Sequence, residues 1–294
     1  VEKKMSEYLI GCDPELFVKN TRTGKFVSSH DLLPGTKLEP FPLDGGAVQV
    51  DGTAAEFNIL PAATAQEFSD RIRSVLSAIQ AMVNSRDNDL TLFVSPTAHY
   101  DPGYFKKLPQ MAKLLGCDPD FNVYLNGGTG VNPKPKTKKP MRTGAGHIHV
   151  GWTKDMEVSD HAHVFDCIEM TKQLDAVLYP CSLFWDSDNE RRELYGKIGT
   201  YRVKHYGVEY RPLSNAWIAD PELHIWIHEA TKLAAESLDE GVRVFETSKA
   251  KNLVDKIRED RPVNTVDLED YYLFLLDEIG IPELPHRYIE TTDK

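Results

Sequence analysis

The chain predicts an α+β fold, an antiparallel catalytic sheet with helices packed on its outer face, and two observations predict it. Strand-like runs bounded by Gly, Asp or Pro crowd into the first sixty residues, and segments with helical periodicity dominate afterwards. Hairpins this early favour antiparallel pairing, because parallel strands need long crossover connections. With 294 residues, no internal repeat and no long linker, residues 1–294 read as one catalytic domain with a large core.

The elements follow in order. Residues 7–20 (EYLIGCDPELFVKN), 24–29 (GKFVSS) and the hairpin-like 46–60 (GAVQVDGTAAEFNIL) read as strands. In residues 64–85, Phe68, Ile72, Val75, Leu76, Ile79 and Met82 recur at helical spacing, with Thr64 as N-cap and Glu67 completing a capping box. A strand at 90–95 (LTLFVS) and a mixed region to 125 come next. Residues 126–143 (NGGTGVNPKPKTKKPMRT) hold Gly, Pro and basic residues without apolar periodicity, which predicts a flexible loop. It is either a solvated connection or a lid over a site. As a lid, its Lys134, Lys136, Lys138, Lys139 and Arg142 would order around an anion. Beyond it lie a strand at 142–152, a long helix from near Ser159, and a helical C-terminal part from about residue 220.

Composition narrows the function. Forty-five acidic against 34 basic residues give a net charge of −11, which argues against strong binding to nucleic acid or to an anionic membrane surface. An anionic substrate then needs a cation as intermediary. Cys12, Cys117, Cys167 and Cys181 form no CxxC pair and read as free thiols. No signal peptide and no run of eighteen apolar residues is evident, so a cytoplasmic protein is expected, in the host cytoplasm if phage-encoded.

Four strand-like segments repeat one device, two polar side chains alternating with apolar ones. They are Asp13 and Glu15; Asp51 with Glu56 and Asn58; His147 and His149; and Glu209 and Arg211. On a strand, His147 and His149 share one face while Ile148 and Val150 take the other. Such a face is wet surface or an active-site wall, and the histidines alone do not decide. Buried carboxylates need pairing or a metal, so four segments converging on one sheet face imply bound cations. Several carboxylates with one imidazole suit Mg²⁺ or Mn²⁺. Asp13 and Asp51 can also be read as turn residues beside Pro14 and Gly52. His161 and His163 serve as a control: they open a helix, diverge by about 200° and read as surface. No phosphate loop, GxSxG elbow, HExxH or GxGxxG occurs; HIWIHEATK lacks the second zincin histidine at the required spacing.

Together these segments resemble a family. GCDPELFV is similar to the E-P-E-F-F strand of glutamine synthetases, GAGHIHVGW to their G-x-H-x-H-x-S strand, and VEYRPL to their I-E-F-R strand, in the same order. RRELYGKIGTYRVKHYGVEYRPLSNAW resembles the hallmark of the phage-type COOH.NH2 ligases, the amidoligase branch of the glutamine synthetase-like superfamily. The resemblance spans residues 7 to about 220. It implies ATP-dependent amide or peptide bond formation through an acyl-phosphate, at a sheet-lined site with two or three Mg²⁺ or Mn²⁺ ions. It also implies that Asp13, Glu15, Glu56, Glu209 and one histidine, His147 by preference, are metal ligands, with Asp51 aligned more loosely. Arg202 and Arg211 would hold the phosphates and acyl-phosphate, with Glu209 beside them. Arg191, Arg192 and Lys197 are further phosphate candidates, and His149 would face substrate or phosphate. The chain lacks the N-terminal grasp domain of glutamine synthetases, so a site completed by a neighbouring subunit is not implied.

The partners expected are a small-molecule carboxylate and an amine, such as an amino acid, a polyamine, a peptide or a modified nucleobase, with no membrane partner. The chemistry agrees with this, since a carboxylate becomes electrophilic only once phosphorylated, and cations and arginines neutralise the transferring phosphoryl group. Two other readings use the same residues: a phosphotransferase of guanidino-kinase type, and a non-catalytic binding protein. The intact charged pairs speak against the last.

Overall fold

The computed structural model of the chain describes residues 7–113, 120–133 and 139–289. Among them the strands are β1 (Leu9–Cys12), β2 (Glu15–Asn20), β3 (Phe26–Val27), β4 (Phe41–Leu43), β5 (Gly46–Asp51), β6 (Ala54–Ile59), β7 (Leu90–Phe93), β8 (Thr97–His99), β9 (Phe121–Asn122), β10 (Gly130–Val131), β11 (Met141–Thr143), β12 (Ile148–Gly151), β13 (Thr200–Lys204) and β14 (Gly207–Tyr210). The helices are α1 (Ala65–Arg86), α2 (Pro102–Lys107), α3 (His161–Ser182), α4 (Asn189–Leu194), α5 (Pro221–Asp239), α6 (Ser248–Arg258), α7 (Thr265–Ile279) and α8 (His286–Ile289).

All strand pairings among the described residues are antiparallel, as expected, and they build two six-stranded sheets and one two-stranded pair. One runs β1-β12-β14-β13-β9-β10. The other runs β3-β2-β6-β5-β4 with β7 also on β2, and β8 and β11 form a separate pair. The chain crosses between the sheets at Asp13 and Pro14, for Cys12 pairs with Ile148 and Glu15 pairs with Glu56. Pro14 has no N–H to continue a ladder. Its carbonyl accepts the Phe57 N–H at 3.0 Å, while the Glu15 N–H turns to the Ala145 carbonyl at 2.8 Å. The sequence reads residues 7–20 as continuous; which partner each half selects is a long-range matter that local pattern does not carry.

Helices cover the outer faces. Thr64 caps α1 through the Glu67 N–H, and the Glu67 carboxylate accepts the Ala63 N–H. Phe68, Ile72, Val75, Ile79 and Val83 of α1 are fully buried. Each such side chain contributes about 1.5–3 kcal/mol relative to exposure. α3 packs behind β13 and β14, and α5 packs against both α1 and α3. His224 and His228, the zincin-like pair on α5, are buried structural groups: His224 meets Ser69 Oγ at 3.3 Å and the Ile218 carbonyl at 3.0 Å, and His228 meets the Ala62 carbonyl at 3.3 Å. From α5 onward the described chain is helical.

Two expectations need correction. His163 is not surface; its Nε2 meets the Lys204 carbonyl at 2.7 Å and its ring lies against Trp152, so the first turn of α3 is sealed onto the sheet through it. His161 is exposed, as the divergence of the pair requires. The loop at 126–143 is shorter than its composition suggests, because Gly130–Val131 and Met141–Thr143 are strands and Arg142 is buried. Lys139 pairs with Glu190 at 2.5 Å, whereas Lys134, Lys136 and Lys138 lie outside the described residues. Cys12, Cys167 and Cys181 are free and buried, and Cys117 also lies outside the described residues. No helix among the described residues is long and apolar enough to cross a membrane.

Candidate active site

Strand alternation positions the polar groups. Ile148 and Val150 on β12, and Val208 and Tyr210 on β14, are fully buried against the helices. His147, His149, Glu209 and Arg211 therefore take the opposite side. Register then fixes neighbours: His149 and Arg202 both pair with Glu209. Asp13, at the crossing between the sheets, completes the group.

One cluster is Asp13, His147 and Glu209, whose donor atoms all lie within 4.8 Å of one another. His147 Nδ1 is 3.1 Å from Asp13 Oδ1 and 3.6 Å from Glu209 Oε1, and His149 Nε2 is 3.1 Å from Asp13 Oδ1. His149 Nδ1 also meets the Tyr206 hydroxyl. Burial would raise the Asp13 carboxyl, but the adjacent His149 and His147 hold it well below the usual range. Burial and the Arg211 charge push His147 down to about 4, so a neutral imidazole faces ionised Asp13 at neutral pH. Glu209, fully buried, is surrounded by cations: Arg211, Lys204 Nζ at 2.6 Å and Arg202 NH1 at 3.7 Å. Asp120 stands on the far side of both arginines, 2.7 Å from Arg211 Nε and 3.6 Å from Arg202 NH2.

The other cluster is Glu15, Asp51 and Glu56, again with donor oxygens within 4.8 Å. Glu15 and Glu56 face each other across the β2–β6 pair, and Asp51 ends β5 at the turn through Gly52, φ 61°. Asp51 is thus both a turn residue and a member of the cluster. One Arg142 nitrogen, NH2, lies 2.8 Å from Glu15 Oε1 and 2.7 Å from Asp51 Oδ2. Lys37 reaches Asp51 at 3.1 Å, and the Ala145 N–H donates to Glu15 Oε2 at 3.1 Å. Glu56 is different. Its buried Oε2 has no hydrogen-bond partner, and burial with the charges of Asp13, Glu15 and Asp51 pushes its carboxyl up to about 8.

Both donor sets fit divalent cations. Three carboxylates in one, and two carboxylates with a neutral imidazole in the other, are oxygen-rich sets of the kind Mg²⁺ and Mn²⁺ take. The orphaned Glu56 oxygen and the mutual repulsion around it are what a cation would relieve.

Glu15 of one cluster and His147 of the other line a cleft together with Arg142, Arg191, Arg211 and Asp120, and with Thr143, Ala145, Tyr195 and Gly196. Arg191 is fully buried, and its NH1 and NH2 donate to the Pro212 and Leu213 carbonyls at 2.7 and 2.8 Å, which fixes the chain just beyond Arg211. Gly196, φ 75°, must be glycine there, since a Cβ would strike that guanidinium at 2.0 Å. Arg192 is engaged with Asp186 and Asn189. Lys197 is exposed, and the structure brings neither of the two to the cleft wall.

Sequence reasoning missed Asp120, Lys204 and Lys37, and took Arg142 for a lid residue rather than the buried partner of Glu15 and Asp51. Arg142 was concealed in a basic loop-like stretch. Asp120 had a signal: residues 116–121 read GCDPDF, an echo of GCDPEL at 11–16 that puts Asp120 where Glu15 stands.

Residues 137–252 match the family described as phage phiEco32-like COOH.NH2 ligase-type 2. No curated protein matches the chain. Among solved structures, "GmaS/ADP complex-Conformation 1" aligns over 97% of this chain and 69% of that one, at 12% identity and a TM-score of 0.47. The matched segment contains His147, His149, Arg191, Arg202, Glu209 and Arg211. Over residues 137–252 the chain is therefore similar to the phage-type COOH.NH2 ligase family that its strand motifs also resemble.

Proposed function

We propose that the chain is an ATP-dependent, ADP-forming ligase that joins a carboxylate to an amine through an acyl-phosphate, and that residues 1–294 act as one catalytic domain. One observation carries the reading: two cation-sized donor clusters, Asp13–His147–Glu209 and Glu15–Asp51–Glu56, each contribute a residue, His147 or Glu15, to the wall of a cleft also lined by the guanidinium groups of Arg142, Arg191 and Arg211. Glu15, Asp51 and Glu56 would hold one divalent cation, and Asp13, His147 and Glu209 another. Cations held there supply charge neutralisation for the triphosphate and the transferring phosphoryl group.

The chain's own groups do the rest. Arg211, anchored on Asp120, presents a rigid fork to oxygens of the phosphoryl group, and Arg202 adds a second guanidinium from β13. Arg191 holds the backbone after Arg211 and thereby its aim. His149, oriented by Asp13 and Tyr206, stands beside the cluster on the substrate side. Arg192 and Lys197 are left as outer contacts for a long anion. Once the acyl-phosphate forms, amine attack displaces phosphate and the acyl carbon–nitrogen bond replaces the acyl–oxygen bond.

The test is incubation with ATP, Mg²⁺ and pooled carboxylates, with hydroxylamine as a general amine. The expected products are ADP, phosphate and a hydroxamate, all abolished by chelator. ADP with a stable phosphorylated product would make the chain a phosphotransferase, and turnover unchanged in excess chelator would remove the cation sites.

A further inference from the structure

The inference rests on the proposed cation sites and concerns the charge that holds the all-carboxylate cluster before a cation arrives. Arg142 NH2 stands between Glu15 Oε1 and Asp51 Oδ2, at 2.8 and 2.7 Å, and uses lone pairs that a divalent ion would need. Mg²⁺ binds carboxylate oxygen at roughly 2.0–2.1 Å, and a dication next to a guanidinium is repelled by it. The two positive charges cannot share this position.

Where each counter-ion can go differs. The Lys37 side chain is half exposed and can retreat into water. Arg142 is 5% exposed and β11 holds its backbone against β8, so a displaced guanidinium stays inside the protein. A buried cation without an anion is strongly disfavoured. The same side chain lines the cleft, together with Thr143, Arg191 and Arg211.

We propose that Arg142 is an exchangeable internal counter-ion: entry of a divalent cation into the Glu15–Asp51–Glu56 cluster transfers its guanidinium from those carboxylates to an anionic group in the cleft. Cation and anion binding are thereby coupled through one side chain, and the coupling is reciprocal. The anion is a phosphoryl group or a substrate carboxylate, which share the two-oxygen edge that a guanidinium grips. An order of events follows. The cluster fills tightly only when an anion is present, so a metal-loaded site without substrate is disfavoured.

Mn²⁺ binding, followed by electron paramagnetic resonance in the parent and in R142Q, tests this without any turnover. Sulfate stands in for a phosphoryl group and acetate for a carboxylate. In the parent, one of these anions is expected to tighten one class of Mn²⁺ sites at least fivefold; a sulfate response identifies the phosphoryl source and an acetate response the carboxylate source. R142Q is expected to bind Mn²⁺ at that class at least fivefold more tightly without anion, and to lose the anion response. Mn²⁺ binding by the parent that is matched by R142Q, or an anion response that survives in R142Q, overturns the exchange while leaving the cation sites standing. No Mn²⁺ binding by either protein removes the cation reading and this inference with it. Should R142Q fail to fold, the parent decides alone: Mn²⁺ affinity unchanged by both anions overturns the proposal.

Discussion

The two acidic clusters share the tripeptide Asp13-Pro14-Glu15 yet solve their electrostatics differently. Asp13, His147 and Glu209 sit on the β1–β12–β14 sheet, include a neutral imidazole, and have three cations around Glu209. Glu15, Asp51 and Glu56 sit on the β2–β6–β5 sheet, are all carboxylates, and leave Glu56 without a hydrogen bond at Oε2. The difference teaches which residues the protein needs for its fold and which only for a ligand. Glu209 is part of a buried ion network whose loss takes a carboxylate partner from Arg211, Lys204 and Arg202 together. Glu56 is a cost to the metal-free fold, which the proposed cation would offset.

The largest expected effect follows from that contrast. Glu209→Ala removes the buried carboxylate shared by Arg211, Lys204 and Arg202, a class of change that costs about 3–5 kcal/mol. Glu56→Gln removes, at nearly constant shape, a carboxyl whose ionised form burial and its acidic neighbours disfavour, and should leave metal-free stability unchanged or raised by about 1 kcal/mol. Urea unfolding of both variants without metal checks this, and equal destabilisation would erase the distinction between the clusters.

With Mg²⁺ present the order changes. Glu56→Gln should then lose most of the stabilisation that the metal gives the parent, because stabilisation by a ligand follows its affinity for the folded state. A thermal shift series in Mg²⁺, with sulfate or acetate supplied as the anion, reads this directly. A Glu56→Gln curve that tracks the parent would take Glu56 out of the ligand set.

Arg211→Lys is a smaller change. Lysine keeps the charge beside Glu209 but cannot also hold Asp120 with a planar fork, so about tenfold slower turnover is expected with little change in the Mg²⁺ requirement. Rate against Mg²⁺ concentration separates the two quantities. A shifted Mg²⁺ midpoint at unchanged maximal rate would instead make Arg211 a support for the cation ligand Glu209.

The legibility of this site in the sequence follows the range of the interactions. The alternation His147, Ile148, His149, Val150 and the alternation Val208, Glu209, Tyr210, Arg211 are period-two patterns, and the structure places the polar members opposite the apolar ones that pack toward the helices. The α+β class and α1 with its Thr64 cap were readable for the same local reason. The division of Asp13 and Glu15 between sheets was not, since each strand's partner lies well over thirty residues away. Nor was Arg142 readable. Its basic, Pro-rich surroundings describe a solvated loop, and only pairing with β8 turns that side chain inward.

The smallest expected effect concerns Asp175, which lies behind the β13–β14 pair and so on one cluster's side only. It is a fully buried carboxyl on α3 whose Oδ1 accepts the Gly199 N–H at 3.1 Å and the Tyr210 O–H at 2.9 Å, with Tyr124 and Arg258 nearby. Burial pushes it up to about 7, against the hydrogen bonds that pull it down. Between the ordinary aspartate range, roughly 4, and about 7 the folded chain holds a proton here that the unfolded chain has lost. This group's contribution to stability is therefore full below pH ~4 and lost as pH rises through the folded value. Asp175→Asn keeps the Oδ1 acceptor and cannot titrate, so its stability should fall less than the parent's between pH 5 and pH 7.5. Urea midpoints at those two pH values measure the difference. Parallel falls in parent and variant would mean that Asp175 does not titrate in this window.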